Sequence, residues 1–123
     1  MPSVKMALNS WKRRQFEYGD ADCCQFASHI VKEMTGKDHA SRFEYQSESE
    51  ANDLIAPHGS LLEFIESILG EPSSELKDGD PCVVELPLLG QVCGIKYQGS
   101  VVCITSKGMK QFPDRYLIQG WSA

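Results

Sequence analysis

The chain has 123 residues and a formal net charge of -5 at pH 7, with 12 Lys and Arg against 17 Asp and Glu. This length predicts a single domain over residues 1–123, long enough to bury a core without metal ions or disulfides. The acidic balance argues against nucleic acid as a partner, because sequence-independent binding needs a concentrated field of Lys and Arg.

The helical elements are predicted in the first half of the chain. The spacing of Val4, Ala7, Leu8 and Trp11 predicts a short opening helix. Further helices are predicted after three capping-box patterns: Asp22 with Gln25, Ser47 with Glu50, and Ser60 with Glu63. The helix after Asp22 has the clearest apolar stripe and is expected to end at Gly36, because glycine is the usual residue just beyond a helix.

The second half of the chain changes to the pattern of strands. A turn at 78–81 is followed by predicted strands at 82–86, 91–97, 101–105 and 110–112, with a last strand in RYLIQGW and Trp121 packed on the core. The chain therefore predicts an α+β fold. N-terminal helices, including one that carries cysteine, pack on a C-terminal antiparallel β-meander or small barrel.

The N-terminus and the cysteines indicate a protein without membrane span, disulfide or cofactor. No apolar run approaches the roughly 20 residues that cross a bilayer, and there is no signal-peptide layout, so we expect synthesis in the cytoplasm. The five cysteines are Cys23, Cys24, Cys82, Cys93 and Cys103. An odd number with two adjacent residues predicts reduced thiols. Without a C-x2-C pair, the sequence predicts no metal site.

Cys23 is the residue with the clearest chemical potential. As the first residue of a helix capped by Asp22, it lies where free backbone N–H groups and the helix dipole lower the pKa of a thiol. A nucleophilic cysteine also needs a base, most often histidine. His29 is about 9 Å further along the same helix and rotated away. His39 and His58 lie in predicted loops, while Cys82, Cys93 and Cys103 are expected to be small buried groups.

Three motifs resemble one family of enzymes. YGDADCCQF resembles the nucleophile motif of the NlpC-type papain-like cysteine peptidases, LKDGDPCVV resembles their Pro-Gly-Asp turn, and VCGIKYQGSVVCIT resembles their His-Val-Gly-Ile-Tyr hairpin. The order of the elements agrees over residues 16–105. The chain resembles even more closely a group of small phage-encoded relatives from the tail genes of long-tailed phages. The shared features are MTGKD, FEYQS, a short helix ending in LG, the Gly-Asp turn and a terminal Trp.

The resemblance assigns positions to the peptidase roles. Cys23 matches the nucleophile, Val92 the base histidine, and Cys103 lies near the third, polar member. Valine cannot accept a proton, and a thiol is a weak acceptor for orienting a base. A register shift by one residue would put Cys93 at the base position, but in a strand it also moves the side chain to the other face. The resemblance therefore implies a peptidase-like fold whose catalytic machinery is incomplete.

Two functions of different classes follow from the resemblance. The first is a structural or assembly protein in the virion, at the phage tail tip, with other tail-tip or baseplate proteins as partners. The alternative is a cysteine endopeptidase or amidase that cuts bacterial cell-wall peptides with Cys23 as nucleophile, its histidine supplied by an unexpected loop or a partner chain. An unrelated binding role, for example as an inhibitor, is a third possibility.

Overall fold

The structure is a computed structural model and describes residues 3–123. Over these residues the fold is α+β, as predicted, with four α-helices followed by five strands. The helices are α1 (Val4–Asn9), α2 (Cys23–Thr35), α3 (Glu48–Ile55) and α4 (Leu61–Leu69). The strands are β1 (Pro81–Leu86), β2 (Gly90–Tyr97), β3 (Ser100–Thr105), β4 (Gly108–Pro113) and β5 (Leu117–Gly120). In this described part, no helix is long and apolar enough to cross a membrane.

The predicted helix starts are confirmed by their caps. The side chains of Asp22, Ser47 and Ser60 each accept a hydrogen bond from the backbone N–H three residues further on. Such a bond satisfies one of the N–H groups that have no partner within the helix. At the other end of α2, Gly36 has φ 81°, a left-handed conformation that glycine adopts without strain.

The strands form one antiparallel sheet in the order β4-β3-β2-β1-β5. Strands β1 to β4 follow one another as a meander, as predicted, and β5 returns to pair with β1. Within residues 3–123 the sheet is open, with β4 and β5 as its edges. The predicted meander is therefore confirmed. The predicted small barrel is wrong, because β5 pairs with β1 and not with β4, so the sheet does not close.

The two faces of the sheet belong to two different apolar clusters. We call the face covered by the helices the helical face, and it carries Val83, Cys93, Ile95, Val102 and Ile104. The opposite, outer face carries Cys82, Val84, Leu86, Val101 and Cys103. Side chains alternate between the faces because the period of a strand is two residues. Which face a cysteine occupies therefore decides whether it can reach α2.

The C-terminal tryptophan packs on the core as predicted. Trp121 is buried, and its Nε1 donates a hydrogen bond to the carbonyl oxygen of Gly70 at 3.0 Å. This bond joins the end of β5 to the end of α4. The helical layer is thereby held to the sheet at the edge remote from β4.

Candidate functional site

Asp22 holds the start of α2 in place. Its Oδ1 accepts a hydrogen bond from the N–H of Gln25 at 2.9 Å, and its Oδ2 accepts from the N–H of Gly19 at 2.9 Å and from the Tyr45 hydroxyl at 2.6 Å. The carboxyl group is buried, and burial raises its pKa against the opposing effect of these bonds. A single side chain therefore joins the preceding loop, the helix and the segment before α3.

Three cysteine sulfurs meet at this helix start. Cys23 and Cys24 come from the first turn of α2, and Cys93 comes from β2, 69 residues after Cys24. The Sγ atoms of Cys24 and Cys93 are 3.3 Å apart, those of Cys23 and Cys24 are 4.0 Å apart, and all three lie within 4.8 Å of one another. We call these three residues the thiol cluster. It forms because α2 packs across β2 and presents Cys24 to the helical face.

The thiols of the cluster differ in acidity. Hydrogen bonds from the Cys24 and Cys93 thiols hold the pKa of Cys23 well below its ordinary value, although burial opposes them. The bond to Cys23 raises the pKa of Cys24 and of Cys93 well above the ordinary value. A thiolate at Cys23 is thus stabilised by two donating thiols, at a helix end where negative charge is favourable.

Cys23 borders an open cleft of about 550 Å³. Aromatic and aliphatic side chains form much of its lining, among them Phe16, Tyr18, Tyr45, Leu61, Leu89 and Ile104. Cys23 is half-buried, whereas Cys24 and Cys93 are buried. On the inner side, those two residues line an apolar cavity of about 30 Å³. The cluster can therefore be reached through Cys23.

The structure places the other two candidate positions of the resemblance differently with respect to Cys23. Cys103 is fully buried on the outer face. Val92 packs against the same outer cluster, although it also borders the cleft. The shift of one residue from Val92 to Cys93 does change the face, and the face that Cys93 occupies is the helical one. The position nearest the expected base is therefore a thiol.

The histidines take part in other contacts. His29 Nε2 lies 2.7 Å from Glu33 Oε1, and its ring packs edge-on against Trp11. His58 packs edge-on against Phe64, and His39 borders the small cavity beneath the cluster. Among the hydrogen bonds of residues 3–123, none joins a histidine to a cluster sulfur. The prediction that His29 cannot reach Cys23 is consistent with this arrangement.

Sequence reasoning missed Cys24 as a member of a site, and it considered Cys93 only as a replacement for the base histidine, which the change of face argued against. Burial was predicted for Cys93 and is confirmed. The contact between the sulfurs of Cys24 and Cys93 was not predicted. A signal was present in the spacing. Cys24, Ala27 and Val31 share one side of a helix, and Cys93 and Ile95 share one face of a strand.

The chain was compared with families of related sequences and with curated proteins. Residues 2–123 match the model of a family described as a domain of unknown function, DUF6950. The comparison with curated proteins finds no match. Because the family model extends over all but the first residue, the chain belongs to the DUF6950 family.

Proposed function

We propose that the protein is a structural or assembly component of a phage tail tip, built on an NlpC-like fold with incomplete catalytic machinery. It docks within the virion against neighbouring tail-tip or baseplate proteins. The motif resemblance supports the fold and the setting. The observation that carries the docking role is the tip of the β1–β2 hairpin, where Leu88 is fully exposed and Leu89 is more than half exposed.

Leu88 is unfavourable in the free protein for two reasons. Its φ of 71° lies in the left-handed region, which costs a residue with a Cβ about 1 kcal/mol. Its exposure also forgoes about 2 kcal/mol that burial of a leucine side chain provides. Glycine or asparagine would suit an exposed left-handed turn better. Contact with a partner recovers the burial term, and Leu89 extends the apolar surface into the cleft.

The thiol cluster supports docking over hydrolysis. A nucleophilic cysteine needs a neighbour that accepts its proton. The side chains grouped with Cys23 are the thiols of Cys24 and Cys93, and a protonated thiol is only a weak acceptor. Within residues 3–123 no histidine is hydrogen-bonded to a cluster sulfur, which favours docking over hydrolysis.

The docking role predicts that Leu88→Asp blocks tail assembly. In a phage that carries this gene, the charged side chain should lower the yield of infectious particles by about tenfold or more, because an apolar contact loses at least 1.4 kcal/mol. Aspartate tolerates the left-handed conformation, so the free energy of unfolding should stay within about 0.5 kcal/mol of the parent. The measurements are particle titre, electron microscopy of tails and urea denaturation.

Met6→Asp is the matched control for Leu88→Asp. Met6 is also an exposed apolar residue, 64% accessible, but it lies on α1 and not on the hairpin. Its substitution should leave the titre unchanged. A Leu88→Asp phage that assembles as well as the Met6→Asp phage would contradict the docking role.

A second candidate function is hydrolysis of cell-wall peptides, favoured by the position of Cys23 at a capped helix start beside the cleft. The test is release of fragments from purified peptidoglycan by the parent and by Cys23→Ala. Under the structural proposal, both proteins release the same background amount, and Cys23→Ala phage keep full infectivity. Release that depends on Cys23 would establish the hydrolase instead, with its histidine supplied from outside the cluster.

A further inference from the structure

The thiol cluster has the dimensions of a metal-binding site. Zinc bonds thiolate sulfur at about 2.3 Å, so two sulfurs of a tetrahedral site are about 3.8 Å apart. The sulfurs here are separated by 3.3 Å for Cys24 to Cys93 and 4.0 Å for Cys23 to Cys24. Shifts of about half an ångström would therefore bring these sulfurs to coordinating distances. All three sulfurs lie within 4.8 Å of one another, so one ion can contact them together.

We propose that Cys23, Cys24 and Cys93 bind a thiophilic d¹⁰ metal ion of the Zn²⁺ class. The ion would be held by three protein sulfurs, with its fourth coordination position directed to the cleft beside Cys23. Thiolates select such ions over hard cations such as Mg²⁺ and Ca²⁺. The site draws two ligands from a helix and one from a strand, which is why the absence of a C-x2-C pair does not exclude it.

The charge balance of the site is acceptable. Three thiolates and Zn²⁺ leave a net charge of -1, and this charge lies at the positive end of α2, a helix of 13 residues. The thiols lose their protons to solvent as the ion binds. Asp22 does not compete as a ligand, because its carboxylate oxygens already accept bonds from Gln25, Gly19 and Tyr45.

Access and enclosure also suit a metal ion. The open cleft reaches Cys23, which gives the ion a path and leaves room for water or a partner's side chain as fourth ligand. Cys24 and Cys93 are buried and protect the inner side of the site. A bound ion would join α2 to β2, so its consequence for the fold is a tether between the helical layer and the sheet.

The test is titration of the reduced full-length protein with Co²⁺ and then Zn²⁺, without oxygen. One equivalent of Co²⁺ should produce a sulfur-to-cobalt charge-transfer band and the visible bands of a tetrahedral site, and Zn²⁺ should abolish both. Cys93→Ala and Cys23→Ser should each remove about one third of the charge-transfer intensity and weaken Zn²⁺ binding by about tenfold or more. Circular dichroism checks that each variant folds.

Cys103→Ala is the matched control, because Cys103 is an equally buried thiol on the outer face. Its binding of Co²⁺ and Zn²⁺ should equal that of the parent. A missing charge-transfer band with one equivalent of Co²⁺ would overturn the proposal, as would a band that Cys103→Ala reduces as much as Cys23→Ser does. If Cys93→Ala fails to fold, Cys23→Ser decides, since its side chain is only half-buried. Leu88→Asp should bind the ion normally, so this site and the docking role fail separately.

Discussion

Asp22→Ala is expected to lower the free energy of unfolding by about 3 kcal/mol, because loss of a helix cap costs about 1 kcal/mol and each buried donor left without a partner costs 1 kcal/mol or more. The substitution leaves the N–H groups of Gln25 and Gly19 and the hydroxyl of Tyr45 without their acceptor. Asp22 is only 3% exposed, so water does not readily replace it. Urea denaturation of the reduced protein measures the loss.

Asp22→Asn keeps the size of the side chain and one acceptor oxygen, but removes the charge and the second acceptor oxygen. The asparagine carbonyl oxygen can still accept the N–H of Gln25, and asparagine is as good a cap as aspartate. We expect it to retain more than half of the stability that Asp22→Ala loses. Equal losses in the two variants would show that the side-chain acceptor is not what holds the helix start.

Gly94→Ala is expected to destabilise the sheet by about 3 kcal/mol, at the upper end of the cost of overpacking a core. A Cβ added at Gly94 would lie 2.5 Å from Val101 Cγ1, 2.8 Å from Cys103 Sγ and 2.9 Å from the carbonyl oxygen of Val102. The carbonyl belongs to the backbone of β3 and cannot turn aside. The strands must therefore separate where β2 and β3 run side by side.

Gly99→Ala is the control for Gly94→Ala. Gly99 lies in the β2–β3 turn with φ 75°, and nothing is within 4 Å of an added Cβ. The expected loss is about 1 kcal/mol, from the left-handed conformation alone. Denaturation midpoints of both variants give the comparison. A loss at Gly94 no larger than that at Gly99 would mean that the sheet accommodates the methyl group.

The helix starts and the strands were predictable because their causes are local. Asp22, Ser47 and Ser60 bond to N–H groups only three residues away, so a four-residue pattern contains the whole interaction. Gly36 ends α2 through its own conformation. The strands follow from alternating apolar residues between turn residues. That the sheet stays open instead of closing into a barrel was not predictable, because pairing of the edge strands depends on the twist of the complete sheet.

The sequence by itself determined which residues begin α2, α3 and α4, that Cys23 occupies the first turn of α2, and that the cysteines of the strands are buried. Only the tertiary structure decided which of those cysteines reach Cys23. Cys93 and Cys103 look alike in the sequence, yet one lies on the helical face and the other on the outer face. The reason is physical. Local spacing shows which residues share a face, but which face meets α2 depends on how α2 packs across β2, and that contact joins residues 69 positions apart.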